Sequence, residues 1–263
     1  MDNSIQSSSL KDLFNLHGKR ALVTGSSQGI GRAIAIALAE YGADVLVHCS
    51  SNLSKAESVM AEIEALGRQT GVVAADLERS DAAGKIVAAV NNVLGGVDIL
   101  VLNASVQVRR SWREITPEEY RRQVDVNFGS CLWLCQRFAP EMLERKWGRI
   151  LTIGSVQQVR PHPEMLVYSA TKSALDNLVR SLAPQFAPFG VTINNLAPGV
   201  IDTPRNEQAL ADEQYKRKII AKVPAGFVGE PVDCAGTALV ICSDAGRYMT
   251  GQNIFVDGGM SLP

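Results

Sequence analysis

The chain has 263 residues, and its evenly spread hydrophobic residues favour one large domain over two small ones. Its 26 basic and 27 acidic side chains leave a net charge of -1, so charge gives no reason to expect nucleic acid or an anionic membrane surface as a partner. No apolar run approaches the ~18 residues that span a bilayer, and the polar N-terminus lacks the features of a signal peptide. A cytoplasmic location and a small-molecule partner are therefore expected.

The cysteines and histidines do not form a metal or disulfide pattern. The five cysteines are scattered without a Cys-x-x-Cys motif, which argues against a disulfide framework. The three histidines, His17, His48 and His162, are far apart, and none stands at ligand spacing from a cysteine or another histidine. No metal site is expected.

The predicted elements begin after an N-terminal tail, residues 1–17, whose segment LKDLF is expected to dock weakly on the body. Short β-branched runs then alternate with longer amphipathic runs, which is typical of repeated β-α-β units. The runs predicted to be strands are seven: 20–24, 44–49, 70–75, 98–103, 149–154, 191–196 and 252–256.

Several of these strand runs are apolar without alternation, as expected when helices cover both faces of a parallel sheet. Helical patterns at 32–42, 55–67 and 81–96 lie between them, and each ends at a glycine. Right-handed crossovers then give a doubly wound sheet. The prediction is an α/β fold: one Rossmann-type catalytic domain over residues 18–263, with about seven parallel strands.

One helix has a clear N-terminal signal. Thr116 can cap it, Pro117 fits its first turn and Glu119 completes a capping box. The periodic pattern then runs to about residue 145. Gly129 lies in mid-run, where glycine costs helix stability, so we expect a kink or close packing there.

The segment TGSSQGIG, residues 24–31, follows the first strand and opens the first helix of the domain. Gly25, Gly29 and Gly31 allow a tight turn, bring backbone N–H groups close to a diphosphate and let helix and strand pack closely. At this point of a β-α-β array, the pattern indicates a dinucleotide site.

Further motifs follow at consistent spacings: LNAS at 102–105, Asn127 in DVNFGS, Ser155 in IGSVQ and YSATK at 168–172. With TGSSQGIG, they make residues 17–260 resemble the short-chain dehydrogenase/reductase family. The resemblance implies an NAD(P)-dependent enzyme that interconverts a secondary alcohol and a ketone.

The resemblance also implies the catalytic roles. Tyr168 exchanges a proton with the substrate oxygen, and because a free tyrosine has a pKa of ~10, a cation nearby must favour its phenolate. Lys172, one helical turn away, supplies that cation and binds the nicotinamide ribose. Ser155 holds the substrate oxygen, and Asn127 organises a water that links Lys172 to solvent.

Cofactor contacts carry over from the same family. Asp76 is expected at the adenine amino group, although it could merely cap a turn. Asn103 is expected to hold the central strands and the ribose. The full predicted set is Gly25, Ser27, Gln28, Gly29, Ile30, Gly31, Ser50, Ser51, Asn52, Asp76, Leu77, Asn103, Ala104, Tyr168, Lys172, Pro198, Gly199, Val200 and Thr203.

Two positions depart from the family pattern. Ser105 replaces the usual glycine of the NAG motif, and Gln28 stands where many NADP-binding relatives have Arg or Lys. Neither change removes a reacting group.

The end of the second strand bears on the choice of cofactor. An NAD-specific site usually has a carboxylate there, about 20 residues past the glycines. This chain has Ser50, Ser51 and Asn52, which do not repel a 2′-phosphate, and Arg32 or Lys55 could bind one. NADP(H) is therefore favoured, with NAD(H) still possible.

The loops after the fourth, fifth and sixth strands are polar and rich in arginine, unlike a pocket for a steroid or a long acyl chain. Arg109 and Arg160 are the substrate candidates, with Arg109 preferred. The motifs VQ, RR, SVQ and VPAG resemble the gluconate 5-dehydrogenase and 2-deoxygluconate 3-dehydrogenase branch, which implies a sugar, polyol or sugar-acid substrate.

Two other functions stay open: a 3-ketoacyl-thioester reductase, and a non-catalytic NADP-binding regulatory protein. The family resemblance and the apolar faces of helix 116–145 and the Tyr168 helix also predict a homotetramer.

Overall fold

The computed structural model describes residues 9–263, so residues 1–8 of the predicted tail lie outside the described part of the chain. Ser9 caps the short helix α1 (Leu10–Leu13). The Phe14 ring lies 6.2 Å from that of Tyr41, and the Leu16 N–H donates to the Tyr41 carbonyl at 2.8 Å. Leu16 is buried in the core. Burial of Leu16 packs the end of this segment against the body of the protein.

The described residues form one sheet of seven parallel strands in the order β3-β2-β1-β4-β5-β6-β7. This confirms the predicted fold class, and the predicted strand ends differ from the observed ones by one or two residues. The strands are β1 (Arg20–Val23), β2 (Asp44–Cys49), β3 (Thr70–Ala74), β4 (Ile99–Leu102), β5 (Gly148–Ile153), β6 (Val191–Pro198) and β7 (Asn253–Val256).

Helices cover both faces of this sheet. They are α2 (Gly29–Glu40), α3 (Leu53–Ala65), α4 (Ala82–Val93), α5 (Pro117–Val124), α6 (Ser130–Arg145), α7 (Leu166–Phe186), α8 (Glu207–Leu210), α9 (Glu213–Ile220) and α10 (Pro231–Cys242). One buried cluster joins the sheet to α4, α6 and α7, and a second joins it to α2, α3 and α10. Leu22 and Leu100 belong to the first cluster, whereas Val23 and Val101 belong to the second. Because successive residues face opposite apolar layers, the strands show no alternation.

The long helix expected from residue 116 to about 145 is instead two helices, α5 and α6, joined by a π-helical turn (Asp125–Gly129). The predicted capping box is present, since Thr116 and Glu119 bond each other's backbone N–H at 3.2 Å. Gly129 closes the π turn. A Cβ on Gly129 would come no nearer than 3.5 Å to Trp133 Nε1, so the irregular turn, and not close packing, accompanies this glycine.

The strand order sets the position of the site. The chain runs outward from β1 to β3 on one side and from β4 to β7 on the other, so the order reverses between β1 and β4. In open parallel sheets this reversal leaves a crevice at the carboxyl ends of the strands. Within residues 9–263, no helix is both long enough and apolar enough to cross a membrane.

Candidate active site

A cavity of about 1400 Å³ lies at the carboxyl ends of the strands. It exceeds the ~300–1000 Å³ of most small-ligand pockets, which leaves room for a dinucleotide and a second molecule. Every predicted cofactor residue except Asn52 lines it: Gly25, Ser27, Gln28, Gly29, Ile30, Gly31, Ser50, Ser51, Asp76, Leu77, Asn103, Ala104, Tyr168, Lys172, Pro198, Gly199, Val200 and Thr203.

The glycine-rich turn is shaped for a close approach. Gly25 has a φ of +64°, which L side chains rarely adopt. A Cβ on Gly31 would collide with the Asn103 amide and the Gly25 carbonyl, so helix α2 can approach β4 only with glycine at this position. Gln28, at the start of α2, gives no side-chain cap, so the first N–H groups of the helix face the cavity without a capping side chain. Such a helix start binds diphosphate well.

Two side chains hold this turn from behind. The Asn103 amide donates to the Thr24 and Gly25 carbonyls at 2.8 and 3.0 Å. His48 Nδ1 accepts the Gly25 N–H at 2.9 Å, and Nε2 lies 2.9 Å from the Ala75 carbonyl, so the ring is neutral with its proton on Nε2. Burial lowers the pKa of His48 to about 4. The sequence showed a histidine at this position but not its inward orientation.

Of the three residues after β2 that are expected at the 2′-phosphate, two line the cavity and one does not. Ser50 and Ser51 line the cavity, but Asn52 instead caps α3, accepting the Lys55 N–H at 3.1 Å. The cap uses the Asn52 side-chain oxygen, so the predicted contact of its amide N–H groups with the 2′-phosphate stays a prediction. Lys55 Nζ reaches Gln28 Oε1 at 2.7 Å, which brings a cation beside the lining residue Gln28.

Arg32, the other cation considered for the 2′-phosphate, pairs with Glu62 at 2.5 Å. Asp76 is exposed and lines the cavity, and it also accepts the Glu78 N–H at 3.2 Å. Asp76 therefore caps a turn and also lines the cavity.

Tyr168 and Lys172 lie on one buried face of α7, as their spacing predicts. They are 6% and 2% exposed, and Lys172 Nζ lies 5.6 Å from the centre of the Tyr168 ring. Lys172 Nζ donates to the Ile153 carbonyl at 2.6 Å. This hydrogen bond to a backbone carbonyl fixes the Lys172 ammonium at the end of β5.

The charges around Tyr168 favour its phenolate. Burial alone would raise the pKa of Tyr168, but the cations Lys172 and Arg205, with hydrogen bonds from Ser155 and Arg205, hold that pKa below its usual value. Burial also lowers the pKa of Lys172, an effect that the Tyr168 charge opposes. A tyrosine in this state exchanges a proton more readily near neutrality.

Ser155 also lines the cavity, and a buried polar network positions its loop. Gln158 Oε1 accepts the Ser155 N–H at 2.9 Å and the Asn195 amide N–H at 3.0 Å. Asn195 Oδ1 in turn accepts the Thr152 hydroxyl at 2.6 Å. The segment VTINNL of β6 contains Asn195. The role of Asn195 can be recognised only when its neighbour β5, which carries Thr152, is known.

Asn127 is fully buried and does not line the cavity. Its Oδ1 accepts the Val106 N–H at 2.8 Å, and its Nδ2 donates to the Val106 carbonyl at 2.9 Å and to Thr171 Oγ1 at 3.2 Å. Both amide protons are thus used by protein groups. The side chain holds the loop after β4, so the water link to Lys172 expected of Asn127 cannot use these amide donors.

Four arginines of the substrate loops fall into different settings. Arg109 and Arg160 line the cavity as predicted, and Arg109 pairs with Glu164 at 3.3 Å. Arg110 pairs with Glu119 at 2.6 Å and does not line the cavity. Arg205, which the sequence analysis did not single out, lines the cavity and donates two hydrogen bonds to Ser105. In the sequence, only the polar loop after the sixth strand and the unusual Ser105 pointed to Arg205.

The motifs of this site match a known family. The family model described as enoyl-(acyl carrier protein) reductase matches residues 25–261. A gluconate 5-dehydrogenase from Gluconobacter oxydans is 35% identical over 251 residues, which cover 95% of this chain and 98% of that protein. The chain belongs to the short-chain dehydrogenase/reductase family.

Solved structures of short-chain dehydrogenases/reductases share the fold along nearly the whole chain. A 3-oxoacyl-(acyl-carrier-protein) reductase from Agrobacterium tumefaciens, with NADP bound, has a TM-score of 0.91 and 39% identity, covering 97% of this chain and 99% of its own. A gluconate 5-dehydrogenase from Burkholderia cenocepacia, in complex with NADP and tartrate, has a TM-score of 0.90 and 30% identity, covering 97% and 100%. These relatives share the family and the fold with this chain, but they are named for different substrates.

Proposed function

We propose that this protein is an NADP(H)-dependent oxidoreductase that interconverts a secondary alcohol and a ketone on a small sugar acid, as a gluconate 5-dehydrogenase does. The observation that carries the substrate class is the charge of the cavity. Six basic residues on segments after β4, β5 and β6 line it: Arg109, Arg122, Arg160, Lys172, Arg205 and Lys222. Asp76, after β3, is the one acidic residue among the described residues that line it. A carboxylate-bearing substrate is attracted to such a surface.

The residues of the chain have distinct roles in this reaction. When bound, the nicotinamide of NADP(H) carries the hydride to or from the reacting carbon. Tyr168 exchanges the proton with the oxygen on that carbon, and Lys172 holds the phenol in its reactive state. Ser155 donates a hydrogen bond to the same oxygen. The buried network behind Ser155 keeps this donor in place without rearrangement.

The preference for NADP(H) rests on the end of β2. Ser50 and Ser51 line the cavity where an NAD-specific enzyme has a carboxylate, and the Gln28–Lys55 contact places a cation nearby. Titration with NADPH and NADH is expected to show tighter binding of NADPH. Ser50→Asp is expected to shift the preference toward NADH, because a carboxylate repels the 2′-phosphate. Equal affinities in the wild type contradict the proposal.

The substrate class is tested by oxidation of NADPH with three ketones: 5-ketogluconate, the neutral sugar fructose and an acetoacetyl thioester. We expect 5-ketogluconate to have the highest kcat/KM. Equal use of the two sugars removes the argument from charge, and preference for the thioester favours the alternative below.

A 3-ketoacyl-thioester reductase is the second candidate. It is favoured by the 39% identity to the NADP-bound reductase of Agrobacterium tumefaciens. The open, basic mouth of the cavity also suits the phosphate of a pantetheine arm. A non-catalytic NADP-binding protein is the third candidate, and the presence of Tyr168, Lys172 and Ser155 in one cavity argues against it. Any ketone-dependent NADPH oxidation that is lost in Tyr168→Phe excludes this third candidate.

The proposal includes a homotetramer. An apolar groove of about 390 Å³ runs between the π turn with α6 and helix α7, lined by Phe128, Leu132, Ala174, Asn177, Leu178, Ser181 and Leu182. Trp133, on α6, is 53% exposed. Such a patch favours contact with another copy of the chain. Sedimentation at micromolar concentration is expected to give a tetramer, and a monomer contradicts this.

A cytoplasmic location is also part of the proposal. The five cysteines are free and buried, as expected of a protein in a reducing compartment. Cell fractionation tests this location.

A further inference from the structure

Ser105 and Arg205 connect the loop after β4 to the loop after β6, and both residues line the cavity. Arg205 Nη1 donates to Ser105 Oγ at 3.0 Å, and Nη2 donates to the Ser105 carbonyl at 2.7 Å. The two residues are 100 positions apart, after β4 and β6 respectively. We call this pair of contacts the Ser105–Arg205 latch. Two parallel bonds restrain both the position and the plane of the guanidinium.

The Arg205 loop is itself well fixed. The Asn206 N–H donates to the Thr203 carbonyl, and the Asn206 amide donates to the Ile201 carbonyl, both at 2.8 Å. Arg205 therefore projects from a defined turn. The latch therefore restrains the Arg205 guanidinium, and the turn restrains the Arg205 backbone.

The charge of Arg205 is left uncompensated. Both Ser105 groups are neutral acceptors, and within residues 9–263 no carboxylate forms an ion pair with Arg205. Among the described residues that line the cavity, Arg160 and Lys222 also have no ion pair, whereas Arg109 pairs with Glu164 and Arg122 lies 3.5 Å from Glu78. A guanidinium without a carboxylate partner keeps more of its attraction for an incoming anion than one in an ion pair.

Arg205 shares the cavity of the reacting group and acts on its charge. It lines the same cavity as Tyr168 and Ser155, and it contributes to the lowered pKa of Tyr168. An anion bound by Arg205 would therefore sit close to the carbon that is oxidised or reduced. The Arg109 guanidinium instead contacts His162 and Glu164.

We propose that Arg205, oriented by Ser105, binds the anionic group of the substrate next to the reacting carbon and selects anionic over neutral ketones. For a sugar acid this anion is the carboxylate, and in that form the inference rests on the proposed function. The Ser105 hydroxyl, present where the family usually has glycine, is then a positioning group for Arg205.

The test compares three variants with a matched control. In Arg205→Gln, kcat/KM for 5-ketogluconate is expected to fall by about 10- to 100-fold, since a charge-assisted bond is lost, whereas kcat/KM for fructose, which has no carboxylate, is expected to fall much less. Arg205→Lys keeps the charge and is expected to recover part of the loss. Ser105→Gly removes one of the two latch bonds and is expected to cost about threefold for the acid. The control Arg110→Gln removes an arginine that does not line the cavity and is expected to match the wild type.

A second readout does not need the sugar acid. The charged groups that act on Tyr168 are Lys172, from its own helix, and Arg205, from the loop after β6; Cys131, from α6, faces Lys172. Loss of the Arg205 cation is expected to move the pH profile of alcohol oxidation upward in Arg205→Gln but not in Arg205→Lys. Unchanged NADPH affinity in each variant shows that the fold and the cofactor site are intact.

The outcomes separate the two proposals. If 5-ketogluconate is not a substrate, the proposed function fails, and the latch is tested by acetoacetate, whose carboxylate lies close to its ketone, against the neutral ester methyl acetoacetate. A loss in Arg205→Gln that is selective for the anionic member of either pair supports the inference. An equal loss for both members, or no loss, overturns it, and so does an unchanged pH profile.

Discussion

The two halves of the cavity are built in different ways. The cofactor half is formed by the glycine-rich turn and the ends of β2 and β3, and its backbone is held by the buried His48 and the half-buried Asn103. The substrate half is formed by longer loops whose arginines are exposed and are held by single ion pairs or by the Ser105–Arg205 latch. Buried contacts fix a geometry that suits a common ligand, whereas exposed loops can vary in charge without a large cost to folding. The first half therefore carries the family chemistry, and the second carries specificity.

The largest effect is expected where the two halves meet. Tyr168→Phe keeps the buried ring but removes the transferable proton, so turnover is expected to fall by about 10²- to 10⁴-fold while NADPH affinity is retained. Steady-state kinetics and cofactor titration measure the two quantities. Tyr120→Phe, on the exposed side of α5, is the control, and comparable turnover in the two variants contradicts the assignment of Tyr168.

The buried support of the cofactor half predicts a pH dependence of stability. The pKa of His48 is about 4 in the folded protein, against an ordinary value of 6.5. Between these values the unfolded chain binds the extra proton, so the free energy of unfolding is expected to fall as the pH decreases from 6.5 to 4, by about 3 kcal/mol. Above pH 6.5 this contribution is fully present. Denaturant unfolding across this range is the measurement.

His48→Asn removes the titrating group. The slope of stability against pH in this window is expected to decrease in the variant, whatever its absolute stability. A slope as steep as that of the wild type would assign the effect to other groups.

The close approach of α2 and β4 predicts a smaller but localised effect. In Gly31→Ala the new methyl group collides with the Asn103 amide and the Gly25 carbonyl, so a loss of about 1–3 kcal/mol in unfolding free energy is expected, together with weaker NADPH binding. Gly84→Ala, in α4, is the control. A Cβ there meets nothing within 4 Å, and a gain of up to about 1 kcal/mol is expected. Equal effects at the two glycines would falsify the steric argument.

The smallest effect concerns the substrate half. Arg109 is the arginine that the sequence favours, but its pairing with Glu164 leaves it less attraction for an anion. Arg109→Gln is therefore expected to lower kcat/KM for 5-ketogluconate by less than about threefold. A larger loss than in Arg205→Gln, measured side by side, would return the anion-binding role to Arg109.

Local pattern was enough for much of this molecule. The strands, the glycine-rich turn, the capping box at Thr116 and the shared face of Tyr168 and Lys172 depend on residues a few positions apart, so spacing predicts them. Almost all of the predicted cofactor residues line one cavity for the same reason, since the ends of parallel strands meet at one edge of the sheet.

Only the tertiary structure decided which polar groups are free to act. Asn52 and Asn127 have the chemistry expected of site residues, and the structure adds that the Asn52 side-chain oxygen caps α3 and that of Asn127 holds Val106. Arg205 appears in the sequence as one cation among many, and its importance depends on Ser105, 100 residues away. A hydrogen-bonding group can act on a ligand only after its internal partners are known, and those partners are set by long-range packing, which local sequence patterns do not reveal.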